Sequence, residues 1–95
     1  MIGDGIKIAR KKRGLLQEDL AIKLEVSQTH LSQIETNTNQ PSLKLVDKMA
    51  HVLEVPVPIL FWFGFKREEI QDNKKQIFDI LKPAIDDCLK EIFDD

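Results

Sequence analysis

The stretch from Gln17 to Thr36, QEDLAIKLEVSQTHLSQIET, constrains the fold more than any other part of the chain. Its apolar residues form two short groups with the three-to-four spacing of the buried face of an amphipathic helix. The groups are Leu20, Ala21 and Leu24, and then Val26, Leu31 and Ile34. Because so little chain lies between the groups, the stretch predicts two short helices joined by a tight turn.

The second of these helices has a defined start and an unusual outer face. Ser27 is placed to cap it, because a serine hydroxyl can accept a hydrogen bond from a free backbone amide of the first turn. With Leu31 and Ile34 directed inward, the outward positions carry uncharged hydrogen-bonding side chains. These positions are Gln28, Thr29, Ser32, Gln33 and Thr36. An ordinary solvated face usually carries Lys and Glu, whereas Gln, Thr and Ser suit a surface that meets the edges of DNA bases.

The composition excludes some kinds of protein. The 95 residues allow one domain with an appended element. A formal net charge of -2 argues against a protein that binds any polyanion through charge alone. The acidity is concentrated in residues 66–95, which hold nine of the 16 acidic and six of the 14 basic side chains.

A single cysteine, Cys88, cannot form an internal disulfide, which fits a reducing cytoplasm. It falls on the apolar face of a predicted helix, and so we expect a buried packing residue rather than a reactive thiol. The N-terminal sequence lacks the apolar core of a signal peptide. The longest apolar run, from Val55 to Phe65, is shorter than the roughly 20 residues that cross a bilayer. We therefore expect a cytoplasmic protein with no membrane partner.

A first helix is predicted from Asp4 to Arg13, with Gly14 as the residue that ends it. The basic residues of its last turn, Arg10 to Arg13, suit the negative end of the helix dipole. They are most simply a solvated helix end, and contact with phosphate is the alternative.

After the loop TNTNQPS, Ser42 is predicted to cap a fourth helix. Its core face runs from Leu43 to about Leu53. Pro58 can begin a short fifth helix, because proline is tolerated in the first helical turn. Four of the six aromatic residues follow at once in the FWFGF cluster, residues 61–65.

The FWFGF cluster is richer than the closing of a small core requires, and so we expect Phe63 or Phe65 to receive a further element. That element is predicted from Lys66 to Phe93, with Pro83 kinking it or splitting it into two helices. Its apolar stripe consists of Ile77, Leu81, Ala84, Cys88 and Ile92, widened by Ile70, Phe78, Ile85 and Leu89. The stripe either contacts a second subunit or folds back over the aromatic cluster.

The segment from Ile2 to about Leu60 resembles the helix-turn-helix family of lambdoid phage repressors and Cro proteins, also called the XRE family. The residues that carry the resemblance are Gly14, Gln17, Leu20, Ala21, Leu24, Val26, Ser27, Leu31, Ile34, Glu35, Pro41, Ser42 and Leu43. The resemblance implies an all-α fold: a five-helix lambda-repressor-like DNA-binding domain over residues 1–65. Residues 66–95 then form an appended C-terminal amphipathic helix.

The resemblance also implies roles for single residues. Bases in the major groove would be read by Gln28, Thr29, Ser32 and Gln33. Phosphates would be contacted by Gln17, Thr36, Asn37 and Lys44, and His30 is either a further phosphate contact or a surface residue. Arg10 and Glu35 match a pair that often forms a structural salt bridge in this family, which favours a structural role for Arg10 over phosphate contact.

Three residues depart from the family pattern. Glu25 in the turn and Glu54 after the fourth helix replace glycines, so each is expected to adopt a left-handed conformation at a cost of about 1 kcal/mol. Leu16 stands where Ser or Thr usually caps the second helix, and a capping bond worth about 1 kcal/mol is therefore expected to be missing. Glu25 also brings a negative charge close to the expected DNA surface.

The leading hypothesis is a sequence-specific DNA-binding transcriptional regulator, a repressor acting as a homodimer on a palindromic operator. The expected dimer contacts are Phe63, Phe65, Ile77, Leu81, Ile85, Cys88 and Ile92. The alternative is an antitoxin or other partner-binding protein whose C-terminal helix docks on another protein. An enzyme is the weakest interpretation, since His30 and His51 are isolated and no metal-ligand spacing or phosphate-binding loop is present. We expect no cofactor and no metal.

Overall fold

A computed structural model describes residues 1–94, which contain helices and turns and no strand. The α-helices are α1 (Ile2–Lys12), α2 (Gln17–Leu24), α3 (Gln28–Glu35), α4 (Leu43–Leu53), α5 (Val57–Phe63) and α6 (Lys75–Phe93). The predicted all-α class is confirmed. The chain divides into two compact units, one of residues 1–65 and one from residue 66 onwards.

The first unit is built around side chains that are completely or almost completely removed from solvent. The largest of them are Ile6, Leu20, Leu24, Leu31, Ile34, Met49, Leu53 and Leu60. All five helices contribute, and burying each such side chain is worth about 1.5–3 kcal/mol. Leu43 is a correction to the predicted core face, because it is 82% exposed. It is the first residue of α4, and the buried side of that helix begins at Val46.

Helix α1 begins at Ile2, two residues before the predicted start, and packs closely against α5 and α3. Gly3 and Gly5 allow this approach: a β-carbon on Gly3 would collide with the carbonyl oxygen of Ile34, and one on Gly5 with that of Leu60. Gly14 has a φ of 71° just after the helix, as expected for a glycine that ends it.

Two helix ends carry the strained residues that the sequence predicts. Glu25 has a φ of 59° and Glu54 a φ of 57°, both in the left-handed region. At each of these helix ends, the cationic side chain of a residue far away in sequence donates hydrogen bonds to carbonyl groups that the helix leaves without partners. The Lys48 ammonium lies 2.9 Å from the Leu24 carbonyl oxygen and 3.3 Å from a Glu25 carboxylate oxygen.

Arg13 does the same for the end of α4. Its guanidinium donates to the Leu53 carbonyl oxygen at 2.7 Å and to the Glu54 carbonyl oxygen at 2.8 Å. The expectation of a simply solvated basic end is therefore wrong for Arg13, whose side chain joins α1 to α4.

The second unit opens with two short 3-10 turns, Arg67–Glu69 and Asp72–Lys74, before α6. Helix α6 runs without interruption through Pro83, so the predicted element is one helix rather than two. Arg67 and Asp79 form two hydrogen bonds, at 2.8 and 3.1 Å. These bonds hold the pKa of the Asp79 carboxyl below its usual value.

The apolar residues of α6 are only partly buried. Phe78 and Leu89 are buried, whereas Ile77, Ile80 and Leu81 are 48–67% exposed. Cys88 is also exposed, so the expectation that it is a buried packing residue is wrong. Cys88 precedes Leu89 by one residue and therefore lies about 100° away from it around the axis of α6. The buried side of the helix is centred near Phe78 and Leu89 instead. Within residues 1–94, no helix is both long enough and apolar enough to cross a membrane.

Glu54→Gly tests the strain at the end of α4. Glycine adopts the left-handed conformation without a β-carbon clash, so we expect the free energy of unfolding to rise by about 0.5–1 kcal/mol in urea titrations. The matched control is Glu18→Gly in α2, where the same change should lower the free energy of unfolding by up to about 1 kcal/mol. A loss of stability from Glu54→Gly would contradict the assignment of strain.

Candidate nucleic-acid interface

Helix α3 starts where the sequence predicts. Ser27 has extended backbone angles, φ −70° and ψ 152°, and its hydroxyl oxygen accepts a hydrogen bond from the His30 amide at 3.0 Å. Leu31, Ile34 and Glu35 are buried on the inner side of the helix. The opposite side of α3 is consequently turned towards solvent along its whole length.

The outward side chains of α3 line an open depression of about 310 Å³ together with one residue of α2. The lining consists of Gln17, Gln28, Thr29, Ser32 and Gln33. The structure thus brings together the four residues expected to read bases and the Gln17 expected to contact phosphate. All five are uncharged and can donate and accept hydrogen bonds, which is the chemistry that base edges offer in the major groove.

Gln17 connects this depression to the core. The Gln28 side-chain amide donates to the Gln17 amide oxygen at 3.4 Å, and the Gln17 amide donates to a Glu35 carboxylate oxygen at 3.3 Å. The amide groups of Gln17 and Gln28 are therefore oriented by the chain itself before any ligand arrives. One N–H of Gln17 is left for another acceptor.

Glu35 is held in turn by Arg10, the pair implied by the family resemblance. The guanidinium donates from Nε to Glu35 Oε2 at 2.8 Å and from Nη2 to Glu35 Oε1 at 3.0 Å. Nη1 donates to the Leu15 carbonyl oxygen at 2.9 Å. Arg10 is 8% exposed and Glu35 only 3%, so this two-bond ion pair lies inside the first unit and ties α1 to α3.

Two of the expected phosphate contacts, Thr36 and Asn37, make hydrogen bonds within the chain at the end of α3. Asn37 has a φ of 62°; its side-chain oxygen accepts from the Gly3 amide at 3.1 Å, and its side-chain nitrogen donates to Asp4 at 3.2 Å. The Thr36 hydroxyl donates to carbonyl oxygens of the preceding turn, the nearest being that of Ser32 at 3.0 Å. Both side chains hold the end of α3 in place. The Thr36 hydroxyl has no second proton to donate to a phosphate, whereas one N–H of the Asn37 amide takes no part in these bonds.

The remaining expected phosphate contacts lie on the surface. Lys44 is exposed in the first turn of α4, and His30 is partly exposed on α3. Leu16 precedes α2 without any side-chain capping bond, as the sequence predicts. Within residues 1–94, no cluster of His, Cys, Asp and Glu is arranged to hold a metal ion.

The sequence gives no sign of the roles of Lys48 and Arg13 as partners for helix ends. The cations act on carbonyl groups 24 and 40 residues away along the chain. A basic residue near a helix end is a recognisable signal only when it belongs to the same helix, so long-range pairs of this kind are invisible to pattern analysis.

Two short helices joined by a three-residue turn, with a capped and polar second helix, define a helix-turn-helix protein. The model of the helix-turn-helix family matches residues 6–60, more than half of the chain, and the chain belongs to this family. The immunity repressor protein of Bacillus phage phi105 is 34% identical over 83 residues, a match that covers 85% of this chain and 58% of the repressor. The transcriptional regulator SinR of Bacillus subtilis (strain 168) is 41% identical over 61 residues, covering 63% of this chain and 55% of SinR. The chain therefore spans a little over half the length of these curated relatives.

Solved SinR structures are similar as well. A crystal structure of SinR, described as the master regulator for biofilm formation, in complex with DNA gives a TM-score of 0.60 at 40% identity. The match covers 64% of this chain and 98% of that one. A complex of the SinR and SinI proteins gives a TM-score of 0.62 at 32% identity, covering 88% of this chain and 81% of that one.

Arg10→Ala tests the buried ion pair. Leaving Glu35 charged and buried without its partner should lower the free energy of unfolding by about 3–5 kcal/mol in urea titrations. The double variant Arg10→Met with Glu35→Leu removes both charges and should recover most of that loss. A loss below about 1 kcal/mol for Arg10→Ala would show that the pair contributes little, whereas a double variant as unstable as the single one would show that the loss does not come from leaving Glu35 unpaired.

Proposed function

We propose that this protein is a sequence-specific DNA-binding transcriptional regulator that inserts α3 into the major groove. The observation that carries the proposal is the uncharged depression formed by α3 and Gln17, which presents only groups suited to base edges. Membership of the helix-turn-helix family supports it, and so does the similarity to SinR, which has been crystallised with DNA. The relatives found are transcription regulators and a phage repressor, which supports binding rather than catalysis as the function. The proposed place of action is on DNA in the cytoplasm.

The geometry supports different roles for different residues of the site. Gln28, Thr29, Ser32 and Gln33 read bases. Gln17 directs its remaining N–H to a phosphate at the start of α2, while its side-chain oxygen accepts the hydrogen bond from Gln28. Of the other phosphate candidates we retain Lys44, His30 and Asn37, whose amide keeps one N–H, and we assign Thr36 to the fold because its single hydroxyl proton is donated within the chain.

Gln33→Ala and Gln17→Ala separate base reading from phosphate contact. Gln33→Ala should weaken binding by about 1–3 kcal/mol for the preferred site and relax the preference at one base position. Gln17→Ala should weaken binding to all sequences to a similar degree. It should relax the sequence preference less than Gln33→Ala does, and only because Gln28 loses its hydrogen bond to the Gln17 side chain. The measurement is a fluorescence-anisotropy titration against a panel of single-base variants of a selected site. Equal effects of both substitutions on specific and random DNA would contradict these roles.

Lys44→Ala tests the phosphate contact of α4. Removing one phosphate-neutralising cation should reduce the slope of log K against log salt concentration by about 1. The control is Lys7→Ala, which removes the same charge from an exposed position on α1. An unchanged slope for Lys44→Ala, or the same change for both variants, would remove Lys44 from the interface.

We also propose that the protein acts as a homodimer and represses transcription from a palindromic operator. A single short helix reads only a few base pairs, and two-fold proteins of this kind read two half-sites about one helical turn apart. Of the expected dimer contacts, Ile77, Leu81, Cys88 and Phe65 are exposed. Phe63, Ile85 and Ile92 are half-buried, and Lys12 lies 5.8 Å from the centre of the Phe63 ring.

A second candidate function is binding to a different protein through the C-terminal helix, as in an antitoxin. The exposed apolar residues of α6 and the similarity to a chain of the SinR–SinI complex favour it. Salt separates the two functions, because operator binding should weaken steeply as counterions are released, whereas apolar docking should not.

A further inference from the structure

Helix α6 carries an exposed apolar stripe. Its members are Ile77, Ile80, Leu81, Ala84 and Cys88. Ile77, Ile80 and Leu81 are 58%, 67% and 48% exposed, and no charged residue is a member of the stripe. Exposed apolar residues that form one continuous face, rather than standing singly, mark a surface that meets another molecule.

The spacing of this stripe is symmetric. At about 100° per residue, Ile77, Leu81, Ala84 and Cys88 lie within about 30° of one direction on the helix. Their separations along the chain are four, three and four residues, which read the same in both directions. A second α6 running in the opposite direction therefore places its Cys88 opposite Ile77 and its Ala84 opposite Leu81.

The side-chain volumes favour this antiparallel arrangement over a parallel one. The large members, Ile77 and Leu81, lie in the first half of the stripe, and the small members, Ala84 and Cys88, lie in the second half. Antiparallel pairing puts a large side chain against a small one in every layer. Parallel pairing stacks isoleucine on isoleucine and alanine on alanine, which crowds two layers and leaves gaps in the other two.

The charges of α6 also fit a second copy better than a charged partner. Lys82 pairs with Asp86 at 2.8 Å, and Lys90 pairs with Asp87 at 3.4 Å, both within the same helix. These charges are neutralised locally. Glu91, about one turn beyond Cys88 on the same side of α6, is the charged residue nearest the stripe, and antiparallel pairing keeps the two Glu91 side chains at opposite ends of the contact. An identical uncharged stripe meets no like-charge repulsion at its centre.

We propose that α6 is a self-docking element, in which two copies pair antiparallel through Ile77–Cys88 and Leu81–Ala84 layers. The inference rests on the homodimer of the proposed function and adds its orientation and register. The four layers span only about 16 Å of a helix roughly 10 Å wide. The contact is therefore smaller than the about 800 Å² per partner of a standard interface, and the dimer should be weak until neighbouring half-sites hold two copies together.

Ile77→Cys tests the register through the native Cys88 thiol. In the antiparallel pair the introduced thiol faces Cys88 of the second copy, so mild oxidation should give a covalent dimer on non-reducing electrophoresis. Peptide mass mapping should find position 77 joined to Cys88. The unmodified chain should give little covalent dimer, because its two Cys88 residues lie about 16 Å apart along the paired helices.

Two control variants keep the test specific. Gln76→Cys introduces a neighbouring thiol about 100° away from that of Ile77→Cys and should not form the covalent dimer. Adding Cys88→Ser to Ile77→Cys should abolish the dimer. Efficient Cys88–Cys88 linkage in the unmodified chain would overturn the antiparallel orientation. A chain that stays monomeric by light scattering at tens of micromolar, with no linkage in Ile77→Cys in the presence of operator DNA, would overturn self-docking altogether.

The same samples distinguish this inference from DNA reading. If linkage fails while Gln33→Ala still loses affinity at one base position, α3 reads DNA and only the role of α6 is lost. If linkage succeeds but binding shows no sequence preference, α6 pairs as described and the proposed function fails.

Discussion

The buried ion pair between Arg10 and Glu35 joins the parts of the first unit that must stay in register. Arg10 comes from α1, Glu35 ends α3, and the third guanidinium nitrogen reaches the Leu15 carbonyl before α2. Two charges in an apolar interior require partners in good geometry, so this pair specifies one arrangement of the three helices even if its net contribution to stability is small. Gln17 extends the arrangement outward from Glu35 to Gln28 on the exposed face. The position of the outer amides is thus fixed from inside the domain.

The helix ends show how the chain tolerates departures from the family pattern. Glu25 and Glu54 adopt left-handed conformations that glycine would adopt without strain. Lys48 and Arg13 offset part of that cost by satisfying carbonyl groups that the helix ends leave exposed. Lys48 also lies beside the Glu25 carboxylate, which reduces the negative charge that the turn would otherwise present next to α3. An exposed pair of this kind contributes at most about 1 kcal/mol to the stability of the fold.

Local signals predict much of this structure. The five helices of the first unit, the Ser27 and Ser42 caps and the left-handed Glu25 and Glu54 all follow from spacing, capping chemistry or family pattern. The exposure of Leu43 and Cys88 does not, because periodicity gives a face and cannot say how far a neighbouring element covers it. The tight approach of α1 at Gly3 and Gly5 and the roles of Arg13 and Asn37 depend on residues far apart in sequence. Only the folded chain brings those partners together.

Selection of bound sites from a random DNA pool tests most directly whether α3 reads DNA in a two-fold protein. The proposed homodimer predicts a palindromic consensus with half-site centres about 34–36 Å apart, one turn of the double helix. It also predicts that Gln28→Ala and Gln33→Ala change different positions within each half-site. A pool that shows no enrichment after repeated selection would contradict the assignment of α3 as a recognition helix.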